Sequence, residues 1–297
     1  MPRSDMTRRI ATCLLAFALV LAHEARADDK LRDDRGALVV LATPPQRIVS
    51  LLPSLTESVC AIGACARLVG TDRFSNWPAS VAALPKLGGF DDVRIEAVIA
   101  LKPDVVLVSP SARVIDRLEQ LGLKVIVLES RSRADVRRTL ALLARMVGNP
   151  SAADRAWAAI EGETRAAAAR VPPSVRGLRV YFEVDPTPYA AGPGSFIGET
   201  LAELGMNNAL PAELGPFPKP NPEYVVRLQP DIVIASEHNL ADMAKRPGWS
   251  ALRALHDGRS CSFANGRFEL LVRPGPRMGE AASRIADCLA GLDRSRR

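Results

Sequence analysis

The sequence predicts an α/β protein of two Rossmann-like lobes with parallel sheets, joined by a single long backbone helix. Three observations predict it. Short apolar runs of strand type alternate with helical patterns along most of the chain. One phrase occurs twice, about half a chain apart: "EAVIALKPDVVLV" from Glu96 and "EYVVRLQPDIVIA" from Glu223. Between the copies lies one alanine-rich stretch of about six helical turns, closed by Pro172–Pro173.

The elements follow in order. After a polar stretch (Asp28–Arg35), "RIVSLLPS" is a buried strand running into a loop. "SLTESVCAIGA" is a helix in which Ser54 caps and Glu57, three residues on, completes a capping box. "RLVGTD" is a short strand. "VRIEAVIAL" is a helix with Ile95, Val98 and Ile99 on one face, stopped by Lys102–Pro103–Asp104 before the strand "VVLVS". "SARVIDRLEQLG" ends at Gly122, "KVIVLE" is a strand, and "RADVRRTLALLARMVG" is an amphipathic helix. Strand–helix alternation implies parallel strands with helices on both faces. Residues 150–172 form the linking helix, and the pattern then restarts. "LRVYFEV" is a strand, "SFIGETLAELG" and "PEYVVRLQ" are helices, and "DIVIAS" is a strand. "GWSALRAL" is a helix, "SCSFA" a strand, and "GEAASRIADCLAGL" the last helix. In both halves the repeated phrase is a helix ended by proline and followed by a strand, which favours duplication. The expected lobes are 44–149 and 173–292, with an extension at 28–43 and a tail at 293–297.

The N-terminus is a separate segment. "MPRSDMTRR" is basic, "IATCLLAFALVLA" is apolar but short for a bilayer span, and "ARA" ends at Ala27. Residues 1–27 have the form of a cleaved secretory signal, which places the mature chain in the periplasm. Cys13 has no lipobox before it. The mature chain is only mildly basic, which gives no footprint for nucleic acid. Four cysteines remain for an oxidising compartment: Cys60, Cys65, Cys261 and Cys288. Cys60 and Cys65 flank "AIGA", where Gly63 can turn the chain back, so a local bridge is expected there with Cys261–Cys288 as the second pair. Four cysteines allow three connectivities, and spacing alone leaves them open. The two mature histidines, His238 and His256, neighbour no cysteine, and no metal site is expected.

Four stretches carry a resemblance: "RIVSLLPSLTE" (47–57), "LVGTDRFSNWP" (69–78), "KLGGFDDVRIEAVIALKPDVVLV" (86–108) and "NPEYVVRLQPDIVIA" (221–235). With the long helix between them, the chain resembles the substrate-binding proteins of ABC importers that have a helical backbone, the group that binds cobalamin, haem and ferric siderophores. The resemblance spans residues 44–292 and is nearest to the cobalamin-binding members. It implies a monomer that delivers a tetrapyrrole-like ligand to an inner-membrane permease dimer with a cytoplasmic ATPase. In that group a glutamate on each lobe docks onto permease arginines, and Glu96 and Glu223 hold the matching places. A carboxylate in a helix's first turn also stabilises that helix through its dipole.

Ligand contacts are expected on loops after strand ends, in the cleft between lobes. The aromatic residues there are Phe74, Trp77 and Phe90 from the first half, and Tyr189, Phe217 and Phe268 from the second. Phe90 and Phe217 each precede the docking glutamate by six residues and are expected to face each other. Cobalamin-binding relatives have tryptophan where this chain has Phe90 and Phe217. Arg277, with Arg267 and Arg273, brings positive charge to the cleft mouth, which keeps haem and ferric siderophores in view. Haem would take Tyr189 or His238 as an axial ligand. Trp157 is expected to pack in the interior, and Trp249 to anchor a helix start. No enzyme is expected: Ser50, Ser195, His238 and Asp185 sit in no nucleophile elbow, and "AGPGS" lacks the lysine of a phosphate-binding loop. The expected cofactor is none, the cargo itself being a cobalt corrinoid or its iron alternatives.

Overall fold

The computed structural model describes residues 29–294 apart from residue 188. The expected secretory signal and Cys13 lie outside the described residues. The first sheet runs in the order β4 (Leu68–Thr71), β3 (Ile48–Ser50), β5 (Val105–Val108), β6 (Val125–Val127), and all its pairings are parallel. The second runs β11 (Ser260–Phe263), β10 (Ile232–Ser236), β7 (Arg179–Asp185), β8 (Tyr189–Ala190), with β9 (Asn207–Asn208) also on β7. Its β7, β10 and β11 are parallel, and β8 returns antiparallel at the edge.

Alternation along the strands explains why both faces of each sheet are covered. On β5, Val105 and Leu107 face one core, shared with the linking helix, while Val106 and Val108 face another. On β10, Ile232 and Ile234 join the shared core, and Val233 and Ala235 join a third with Tyr181 and Trp249. Near-continuous apolar strands are the signature of a sheet buried on both sides. Helices α1 (Pro53–Ala61), α2 (Ile95–Ala100), α3 (Ile115–Gln120) and α4 (Arg133–Met146) serve the first sheet. The linking helix α5 (Ser151–Arg170) follows. Then come α6 (Phe196–Glu203), α7 (Pro222–Leu228), α8 (Glu237–Met243), α9 (Arg253–His256), α10 (Asn265–Leu271) and α11 (Met278–Arg294). α11 lies along α5. The approach is close enough that a Cβ on Gly279 would stand 2.5 Å from the Glu163 side chain and 3.1 Å from the Ile160 carbonyl.

The repeated phrase folds alike in both halves. Lys102 and Gln229, each just before the proline, adopt φ values of 45° and 46°. The following aspartates do the same work. Asp104 accepts from the Arg47 amide at 2.8 Å, and Asp231 accepts from the Arg179 amide at 2.8 Å. Arg47 and Arg179 in turn donate to the carbonyls of Leu101 and Gln229, at 2.7 Å each. Each helix end is thus tied to the start of a neighbouring strand by an Arg–Asp pair, which is a shared design rather than shared punctuation.

Three expectations need correction. The polar stretch after residue 28 forms a hairpin, β1 (Asp29–Arg32) with β2 (Leu38–Leu41), whose Leu31 and Leu41 enter the shared core. Asp33 and Asp34 bind it to the first sheet through the amides of Val127 and Glu129. Ser54 does not cap α1. Leu52 is the cap residue, Pro53 occupies the first turn, and the Glu57 carboxylate goes elsewhere. "GWSALRAL" splits into a 3-10 turn (Trp249–Ala251) and the short α9. Both expected disulfides form: Cys60–Cys65 locks the end of α1, with Gly63 at φ 84° between them, and Cys261–Cys288 ties β11 to α11.

Candidate functional site

A cleft opens where the loops after β3, β4, β5 and β6 meet the segment that joins α10 to α11. It has two bays. The first, about 350 Å³, is walled by Leu52, Pro53, Phe74, Phe90, Val272 and Pro274, with Glu269 and Arg273 at its side. Phe74 and Phe90 stack at 5.9 Å between ring centroids and 23° between planes, and each remains nearly half exposed. The half-exposed aromatic pair beside aliphatic walls makes an apolar surface suited to a flat ligand, with the Arg73 guanidinium 5.8 Å from the Phe74 ring. The second bay, about 240 Å³, is lined by Ser109, Ser111, Ser130, Arg131 and Phe217 among others. Leu52, Ser54 and Pro274 line both bays, so the cleft is continuous.

The Phe74 loop is held by a buried polar seam. Asp72 accepts the amides of Phe74 at 2.7 Å and Ser75 at 3.0 Å. Burial pushes its carboxyl above the ordinary range, against the pull of those donors and of Lys86. Lys86 spans the seam, donating to Thr71 Oγ1, the Ser75 carbonyl and the Val81 carbonyl, and burial lowers its own proton affinity. Thr56 on α1 links Ser50 to Ser75 at 2.8 and 2.9 Å. The aromatic wall is therefore anchored to β3 and α1.

Two junctions join the halves beside the cleft. Arg273 donates to Glu57 at 2.9 Å, to Asn76 Oδ1 at 2.8 Å and to the Phe74 carbonyl at 3.2 Å, while Glu269 on α10 accepts at 2.6 Å. Glu57 is buried, and burial raises its carboxyl above the ordinary range despite Arg273 and Arg277. On the other flank, the Phe196 amide donates to the Arg131 carbonyl at 2.7 Å. The Arg133 amide, at the start of α4, donates to Glu199 Oε2 at 2.6 Å. That carboxylate sits at a helix N-terminus, where negative charge is favoured.

The expected ligand residues divide. Phe74 and Phe90 come together in the first bay, and Phe217 lies in the second, tilted against Phe196 at 5.9 Å. Phe90 and Phe217 thus occupy adjoining bays rather than opposite walls of one. Trp77 and Arg277 line neither bay: the Arg277 guanidinium stands 4.8 Å above the Trp77 ring, and Arg277 is held by Glu280. Tyr189 is exposed on β8 with Lys219 Nζ 5.9 Å from its ring, and lines neither bay. Phe268, expected on the cleft, points inward: it is 7% exposed and stacks on Phe182 of β7, because α10 turns that face onto the sheet. Trp157 and Trp249 are interior. Ser50 and Ser195 belong to different halves, and Ser195 is the cap of α6.

Arg273, expected at the cleft mouth, lines the first bay, whereas Glu57, Glu269 and the serines of the second bay were not among the residues singled out for the site. Their position just after strand ends was the available signal. Glu96 and Glu223 occupy the same place, the second residue of α2 and of α7. Both are exposed, and neither has an ion-pair partner among the described residues.

The chain is similar to known proteins along most of its length. The chain is 28% identical over 262 residues to the uncharacterized ABC transporter substrate-binding lipoprotein YvrC of Bacillus subtilis, covering 84% of this chain and 82% of that one. It is 23% identical to a vitamin B12-binding protein of Vibrio parahaemolyticus, covering 88% and 95%. A periplasmic haem-binding protein from Pseudomonas aeruginosa superposes with a TM-score of 0.70 at 25% identity, covering 83% of this chain and 93% of that one. Residues 48–261 match the family described as periplasmic binding protein, and the chain belongs to that family of substrate-binding transport proteins.

Proposed function

We propose that this chain captures a corrinoid in the cleft and delivers it to the permease of an ABC importer. The carrying observation is the stacked Phe74–Phe90 pair on an apolar bay of about 350 Å³, open at its side to a hydroxyl-lined second bay. A corrin has a broad apolar face and a polar periphery, and these bays offer a surface for each. The resemblance to vitamin B12-binding proteins over nearly the whole chain supports the same reading. The leader at residues 1–27 sends the chain to the periplasm, where Glu96 and Glu223 dock it on two equivalent permease subunits.

The test is retention of ligand. Mature protein mixed with cyanocobalamin carries red absorbance through gel filtration; a colourless protein peak refutes the reading.

Haem is the second reading, favoured by Arg273 in the first bay and Arg131 in the second and by the haem-binding structural relative. It calls for an axial side chain, and the candidates Tyr189 and His238 line neither bay. A shifted Soret band with haemin, abolished by Tyr189→Ala, would establish it.

A further inference from the structure

We infer that the second bay receives a neutral, hydrogen-bonding arm of the ligand, of the carboxamide class; this rests on the corrinoid reading above. Ser54 is 4% exposed, and its hydroxyl has no hydrogen-bond partner among the described residues. It lies on the wall common to both bays. The open bay reaches this hydroxyl, which is free both to donate to and to accept from a ligand group. Facing the same bay, Ser109 and Ser111 share a bond of 2.8 Å on the loop after β5. Ser130, after β6, bonds Thr139 at 3.1 Å.

The charged lining groups are Glu129 and Arg131, joined to each other at 2.7 Å, so the bay has no net charge to offer. Hydroxyls both donate and accept, and so does a carboxamide. A carboxylate only accepts, and here it would bring a charge that nothing compensates. A flat macrocycle on Phe74 and Phe90 would send a peripheral arm past Ser54 into this bay.

The experiment measures affinity for cyanocobalamin and for its monocarboxylic acids, in which one peripheral amide is hydrolysed. Wild-type protein is compared with Ser54→Ala/Ser109→Ala and with Ser109→Leu, which fills the bay. The wild type is expected to disfavour at least one acid isomer by about tenfold. The double variant is expected to lose about tenfold in affinity for cyanocobalamin and to lose that discrimination. Ser109→Leu is expected to weaken binding with its melting temperature unchanged; should it fail to fold, the double variant decides. Unaltered affinity and discrimination in the folded variants overturn the arm inference and leave the corrinoid reading standing. A wild type that takes up no corrinoid overturns both.

Discussion

The Arg273 guanidinium reaches Glu57 across 216 residues of chain, at 2.9 Å, with the side chains 10% and 1% exposed. It joins the segment before α11 to α1 and fastens the carbonyl of Phe74, so one side chain ties the halves together beside the aromatic bay. Removing Arg273 strands the buried Glu57 carboxyl, whereas Arg273 without Glu57 keeps Glu269 and Asn76. Arg273→Met is expected to destabilise by about 3–5 kcal/mol in chemical denaturation. Arg273→Met with Glu57→Leu is expected to destabilise less than the sum of the single changes. Strict additivity would show that the pair is not coupled.

The carboxyls of Glu57 and Glu183 give the stability curve a slope. Burial pushes both above the ordinary range, against Arg273 in one case and Arg246 in the other. The folded state then binds these protons more tightly than the unfolded chain. Their contribution to stability is fully present below the unfolded value and is lost as pH rises through the raised folded value. Asp135 runs the opposite way. Burial would raise it, but the Ser132 amide, Arg138 and the Arg131 amide hold it low, so its contribution is lost as pH falls. The melting-temperature advantage of wild type over Glu57→Gln is therefore expected to grow from pH 7 toward pH 5. A shrinking advantage contradicts the assignment.

Much of this was legible before any coordinates. Two sheets, the linking helix and the duplicated helix ends follow from apolar period and proline placement, which are local signals. The hairpin at residues 29–41 was hidden because six of its first seven residues are charged, and Asp33 and Asp34 hold it against β6 and the residues after it. Ser54 and Glu57 spelled a capping box, but Pro53 already fills the first turn and a distant arginine takes the carboxylate. Phe268 fits a cleft loop by sequence and becomes core because α10 forms around it. In each case a long-range partner overrode a local pattern.

The two disulfides should differ in weight. Cys261–Cys288 closes 27 residues and Cys60–Cys65 closes 5. Loop entropy assigns about 3.5 kcal/mol to the first and roughly 2 kcal/mol to the second. Replacing each pair by alanine and comparing urea midpoints checks the order, and a larger loss from the short loop would reverse it.

Glu96 and Glu223 stand at equivalent helix starts, exposed and unpaired among the described residues. Exposed charges steer and orient a partner more than they hold a fold. Glu96→Ala with Glu223→Ala is expected to leave ligand affinity and melting temperature unchanged while uptake by cells carrying the importer is lost. Undiminished uptake would remove these residues from the docking surface.

Phe90 and Phe268 separate cleft from core. Phe90 is 44% exposed beside Phe74, so truncation leaves the fold within about 1 kcal/mol of wild type. It removes half of the stacked platform, and cyanocobalamin affinity is expected to fall by about tenfold to a hundredfold. Phe268, at 7% exposure against Phe182, leaves a cavity when cut to alanine and is expected to lower stability by about 3–5 kcal/mol. Paired measurements of melting and ligand titration on Phe90→Ala and Phe268→Ala distinguish the two roles. A Phe90→Ala protein that binds as tightly as wild type would mean that the ligand does not rest on this ring, and the aromatic bay would lose its part in recognition.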